Sequence, residues 1–120
     1  MLTLGLSGRI WLCVGPVDGR KGFDGLCAVV SAHLGHDPLS GDLFVFRNRR
    51  RDRLKILAWQ GDGYALYLRR LERGTFAFPT TDATVADATA LSVTPTELAM
   101  ILGGIDWART KRRKRYQRGA

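Results

Sequence analysis

Several things are scarce in this chain of 120 residues, and each scarcity excludes something. No apolar run approaches the ~18 residues a membrane-crossing helix requires, so no span is expected. No charged segment precedes an apolar block with a small-residue cleavage site near Met1, so no secretory signal is expected and the cytoplasm is the expected location. There are two cysteines, Cys13 and Cys27, far apart and outside any Cys-x-x-Cys pattern, which reads as buried reduced thiols. The two histidines, His33 and His36, lie beside Asp37 but lack the further placed ligand that a closed metal site needs. No Ser/His/Asp or Cys/His set presents an activated nucleophile. Asp18, Asp24, Asp42 and Asp62 read as a cap, a helix surface, a strand start and a turn, not as a two-metal carboxylate set. Gly15 and Gly19 have three residues between them, and Gly22 follows Lys21, whereas a phosphate loop needs four and then Ser or Thr. The expectation is a non-enzyme with no cofactor and no metal.

Acidic residues are unevenly scarce too. Residues 1–73 hold twelve Lys/Arg against seven Asp/Glu, residues 74–107 none against four, and residues 108–120 seven against none, within a formal net charge of +8. The densest cluster is Arg47, Arg49, Arg50, Arg51 and Arg53, relieved by Asp52 alone. Like charges this close repel, and a polyanion such as a phosphate backbone would relieve them. A pI near 10.3 also favours nucleic acid as partner. A membrane surface is the poorer fit, because Lys111-Arg112-Arg113-Lys114-Arg115 carries no apolar face to insert.

Periodicity predicts the elements. Arg9–Val14 reads as a buried strand and Gly15–Asp18 as a turn. Asp18 is a candidate N-cap for a helix over 19–34, with Phe23, Leu26, Cys27, Val30 and Leu34 on its apolar face. Arg20 and Lys21 would then lie in its first turn, where free N–H groups could help them hold a phosphate. Antiparallel strands are expected near 42–47, 53–60 and 64–71. The first two join through the arginine-rich tip and the last two through Gly61-Asp62-Gly63. Thr75–Phe78 reads as a short fifth strand stopped by Pro79, 80–90 as a loop, and Leu91–Val93 as a short edge strand. Thr94-Pro95-Thr96-Glu97 is a capping box for a helix that Gly103-Gly104 ends. Tyr67 and Tyr116 are the aromatics expected to be exposed. The fold class is α+β: a curved antiparallel sheet of four to six strands with two packed helices. One domain spans 1–107, and 108–120 forms a basic flexible tail, disordered without a partner.

Four blocks carry a resemblance. They are Arg20-Lys21-Gly22-Phe23-Asp24-Gly25-Leu26, Ser40 through Arg47, Leu68 through Gly74, and Leu102-Gly103-Gly104-Ile105-Asp106-Trp107. In this order and spacing they resemble the TnpB-type small accessory protein of the bacterial insertion-sequence family sixty-six, over roughly residues 8–107. Three positions depart from that pattern. Asn48 and Arg51 stand where glycines usually flank the arginine pair, Phe78 where Trp precedes the proline, and Gly19 where a larger residue, often Met, is usual. The resemblance implies a non-catalytic helper in transposition, encoded beside a larger transposase that carries the acidic catalytic residues.

The expected function is a sequence-tolerant DNA-binding accessory factor for insertion-sequence transposition. Its phosphate contacts would come from Arg20, Lys21, Arg47, Arg49, Arg50, Arg51, Arg53, Lys55, Arg69, Arg70 and Arg73. Arg109, Lys111, Arg112, Arg113, Lys114, Arg115 and Arg118 of the tail would add non-specific affinity. The expected partners are element-end or non-specific duplex DNA and the transposase, with no membrane. A homo-oligomer is one option, because a sheet open on one face would need cover. Two alternatives stand beside this reading: a transposase-binding adaptor that does not touch DNA, and a small metal-dependent nuclease.

Overall fold

The computed structural model describes residues 8–79, 88–106 and 111–112. Strands β1 (Ile10–Cys13), β2 (Leu43–Arg47), β3 (Arg53–Trp59), β4 (Tyr64–Arg70) and β5 (Ala90–Val93) form one sheet in the order β4-β3-β2-β1-β5. The sheet is mixed, not wholly antiparallel. β1 and β2 run parallel, with Ile10 opposite Leu43, while the other neighbours are antiparallel. The reason is the connection: a helix lies between β1 and β2, and a helical crossover returns the chain in the same direction.

That helix, α1 (Phe23–Ala28), is shorter than the expected 19–34. Its N-cap is Gly22, without a side-chain cap, so Asp18 does not cap it and Arg20 and Lys21 precede its first turn. Asp18 instead accepts the Arg20 backbone N–H and folds the chain locally. Beyond Ala28 the coil widens to a π-helix over Val29–His33, with the Leu34 N–H reaching the Val29 carbonyl. Ser31 supplies a cause. Its hydroxyl donates to the Cys27 carbonyl at 2.9 Å and competes there for the acceptor that a regular α-turn would use. The second helix, α2 (Pro95–Gly103), starts at the expected capping box, with Thr94 and Glu97 bonded reciprocally, and ends at left-handed Gly104 (φ 80°).

The two helices cover opposite faces. Leu26, Val30 and Leu34 pack with Cys13, Phe44, Phe46 and Leu57 on one side. Leu98 and Ile101 pack with Ile10, Leu12, Leu43, Val45, Leu54 and Ile56 on the other. Each face of the sheet therefore carries a helix of the same chain, not one face only. Alternate side chains of each strand point to opposite faces, which is why β2 reads as a continuous apolar run. Phe44, Val45, Leu54, Leu57 and Ile101 have no solvent exposure.

Thr75–Phe78 is not a strand. Its backbone crosses the tip of the β2–β3 hairpin: the Phe76 N–H donates to the Arg51 carbonyl at 2.7 Å, and the Phe76 carbonyl accepts from Arg47 Nη1 at 2.9 Å. A guanidinium takes the place of a strand neighbour, and buried Phe76 anchors the segment in the α2-side core. The fifth strand is β5, the edge expected at Leu91–Val93. Of the expected loop over 80–90, residues 80–87 lie outside the described residues, and Ala90 already belongs to β5. Within the tail, Lys111–Arg112 pairs antiparallel with Ile105–Asp106 as a two-residue ladder. Residues 107–110 and 113–120 lie outside the described set.

Candidate nucleic-acid interface

Topology gathers the cations at one end of the sheet. β1, β2 and β4 end there and β3 begins there, as shown by the pairs Arg47 opposite Leu54 and Arg53 opposite Arg70. The loop after β1 is tied to the same end by the Val17 N–H on the Arg47 carbonyl. Arg20, Lys21, Arg47, Arg49, Arg50, Arg51, Arg53, Lys55, Arg69, Arg70 and Arg73 therefore share this end, with Asp18, Asp24, Asp52 and Glu72 as the acids there whose side chains are described. Asp37, Asp42, Asp62 and Glu97 lie toward the other end, where the β3–β4 turn, the start of β2 and the start of α2 are found.

The hairpin tip is densely hydrogen-bonded for its size. The Arg51 N–H donates to the Asn48 carbonyl and the Asn48 N–H to the Arg53 carbonyl. The Asn48 side chain bridges the loop, donating to Asp52 Oδ1 at 2.7 Å and accepting from the Arg53 N–H at 3.0 Å. Asp52 is thereby engaged in the loop, and Arg49, Arg50 and Arg51 project into solvent. Arg51 is the one non-glycine residue with positive φ (64°) among the described residues. That backbone region favours glycine, the residue usual at this position in the family pattern.

A groove separates the tip from the loop after β1. Its two halves, of about 400 and 510 Å³, are lined by Pro16 to Arg20 on one side and by Asn48, Arg49, Arg50, Asp52 and Arg53 on the other. Gly19 opens it. A Cβ there would lie 3.6 Å from Arg53 Cδ, an ordinary contact, so a larger side chain at this position would fill the space.

The candidate cations fall into two groups that sequence alone could not separate. Arg47, Lys55 and Arg69 have their polar groups engaged within the protein. Arg47, half-buried, bonds Phe76 O and lies 3.9 Å from the centre of the Phe78 ring. Burial, and secondarily Arg51, lowers its pKa to about 10, so it stays charged at neutral pH. Lys55 Nζ donates to the Gly19 and Lys21 carbonyls at 2.7 and 2.6 Å and clamps the loop in front of α1. Arg69 donates to the Tyr67 hydroxyl and to the Leu102 carbonyl, tying the C-terminal turn of α2 to β4. Tyr67 is accordingly half-buried, not exposed.

The other group is exposed. Arg20 pairs with Asp18 at 2.9 Å and Arg70 with Glu72 at 2.8 Å, both on the surface and worth little to stability. No carboxylate pairs with Lys21, Arg49, Arg50, Arg51, Arg53 or Arg73 among the described residues. Lys111 and Arg112 are placed by backbone only. Arg109, Arg113, Lys114, Arg115, Arg118 and Tyr116 lie outside the described residues.

Sequence reasoning missed the role of Asp42. It accepts the Trp11 indole N–H at 3.0 Å and the Arg9 backbone N–H at 2.9 Å, which joins the starts of β1 and β2. His36 stacks on Trp11 with ring centres 4.2 Å apart. Among the described residues, no three His, Cys, Asp or Glu side chains gather where a metal could be held. None of the described helices is long and apolar enough to cross a membrane.

Fold and site together define a small basic three-layer α+β domain with its positive charge concentrated at one end of the sheet. The chain belongs to the IS66 Orf2-like protein family, whose model matches residues 8–112. It is therefore an insertion-sequence accessory protein associated with transposition. Two relatives from Sinorhizobium fredii are uncharacterized proteins. The one called y4jC is 44% identical over 105 residues, covering 88% of this chain and 86% of the relative. The one called y4hO is 39% identical over 107 residues, covering 89% of each. No solved structure matches the chain.

Proposed function

We propose that this protein is a non-catalytic DNA-binding accessory factor that works with the transposase of its element, and that the basic end of the sheet is its DNA contact. The observation that carries this reading is the hydrogen-bonded hairpin tip, which holds Arg49, Arg50 and Arg51 in solvent without a carboxylate partner while Asn48 engages Asp52, the acid of the tip itself. Six such cations, Lys21, Arg49, Arg50, Arg51, Arg53 and Arg73, meet phosphates without first breaking an ion pair. Arg47, Lys55 and Arg69 contribute indirectly by fixing the segments that present them. Phosphate contacts of this kind position a protein without reading sequence, so discrimination between element ends and random duplex is expected to come from the transposase. The test is a gel shift on element-end and random duplexes, with and without purified transposase. Binding of both duplexes by the protein alone, weakened by Arg49→Ala/Arg50→Ala, supports the reading. No shift without transposase, together with a supershift that ignores those substitutions, leaves the protein an adaptor.

A further inference from the structure

With a helix on each face, the sheet's border strands among the described residues are β4 and β5, and β4 is the longer. β4 is a border strand of seven residues, as long as its neighbour β3, and its side chains are mostly apolar. The Gln60 N–H bond to the Gly63 carbonyl sets the alternation of the β3–β4 ladder. From it, Ala65, Tyr67 and Arg69 direct their backbone groups to β3, and Tyr64, Leu66, Leu68 and Arg70 direct theirs outward. No backbone bond reaches those outward groups from any described residue. Leu68 is 58% exposed, the most exposed large apolar side chain among the described residues and the only such one in a strand. A long, apolar, uncharged border is what folded proteins usually avoid by shortening, bulging or charging the edge. β4 carries charge only at Arg69 and Arg70, at one end.

We propose that two copies of this chain associate through their β4 edges, antiparallel and centred on Tyr67, so that two five-stranded sheets become one continuous sheet. The occupant is a second copy because the strand is complementary to itself in that register. All four outward residues find partners: Tyr64 with Arg70 of the second copy, Leu66 with Leu68, and the reverse of each. Leu66 and Leu68 lie on the α1 side, so their pairs extend the apolar surface there and cover Leu68. Each Arg70 guanidinium meets a tyrosine ring, a favourable cation–π arrangement. Sliding the register by one pair in either direction separates Tyr64 from Arg70 of the second copy and leaves three outward residues of each strand paired in place of four. A parallel partner strand would stack arginine on arginine. One strand pair with its flanking side chains is a small interface, so the dimer is expected to dissociate at about micromolar concentration.

Sedimentation velocity of the full chain across a concentration series, without DNA, tests this apart from any nucleic-acid role. A reversible monomer–dimer equilibrium is expected. Leu68→Asp and, separately, Leu68→Pro are expected to leave a folded monomer. Proline at that position removes only an outward N–H and leaves the β3 ladder intact. Register is read by cysteine pairing in a Cys27→Ala background. Tyr67→Cys is expected to form an intermolecular disulfide under mild oxidation, because the central pair falls within disulfide reach, whereas Ala65→Cys is not. A wild-type chain that stays monomeric up to roughly hundreds of micromolar overturns the proposal. So does a dimer indifferent to both Leu68 substitutions. A monomer that binds purified transposase only while Leu68 is intact also overturns it, and assigns the edge to a foreign strand.

Discussion

Arg51 holds a backbone conformation (φ 64°) that glycine adopts without strain, in a loop otherwise fixed by Asn48. Arg51→Gly is therefore expected to raise stability by about 1 kcal/mol, read as a higher urea midpoint at unchanged slope. It should also weaken DNA binding by removing one exposed cation. An arginine kept at a strained position against that preference fits a role outside the fold. Arg47 shows the converse: Arg47→Met is expected to cost about 2–3 kcal/mol through loss of the charged bond to Phe76 O and the stack on Phe78. Asp18 supplies a pH signature. The side-chain hydrogen bond from Arg20, helped by the Arg20 backbone N–H, lowers its pKa from the ordinary 3.8 to about 2. A carboxyl depressed in the folded state adds stability above its ordinary pKa and loses it as pH falls through the folded value. Because the pair is exposed, its share is small: acid titration of stability between about pH 4 and 2 should be slightly shallower in Asp18→Asn than in the wild type. None of these roles was legible in the sequence, because Arg47 and Arg49 look alike until alternation sends one side chain onto the α2-side core and leaves the other in a turn.

The β2–β3 hairpin, the Gly61–Gly63 turn and the Thr94 capping box were legible as elements, since each is specified within a few residues by turn or cap chemistry. The start of α1 was not: Asp18 offers a plausible cap, but its carboxylate closes a local turn with Arg20 instead. Thr75–Phe78 has strand-forming residues, but the β2–β3 tip and Arg47 take the backbone groups of Phe76. The parallel pairing of β1 with β2 depends on where the crossover packs, which no local pattern encodes. At this scale the tip is separable from the fold. Arg49→Ala/Arg50→Ala is expected to leave thermal stability unchanged within about 0.5 kcal/mol. The log-affinity versus log-salt slope for duplex DNA should flatten by about two units, one per lost phosphate contact. A large drop in melting temperature would show that these side chains serve the fold instead.

Across the whole molecule, the segregation of charge was readable as blocks along the chain, but its gathering at one end of the sheet was not, since that follows from strand order and direction. The C-terminal turn of α2 is held by Arg69 near this end. Truncation after Trp107 is expected to flatten the salt slope by roughly four to five units, the share of about five tail cations reaching phosphates, with little change in discrimination between element-end and random DNA. An unchanged slope would leave the tail idle in binding. The separation of Arg49, Arg50 and Arg53 from Asp37, Asp42 and Asp62 along the strand direction also makes the domain an electric dipole. Near a polyanion such a body experiences torque as well as attraction, and turns its positive pole forward before contact. If DNA is the partner, encounters are expected to be productive more often than random orientation allows, read as an association rate that falls with added salt.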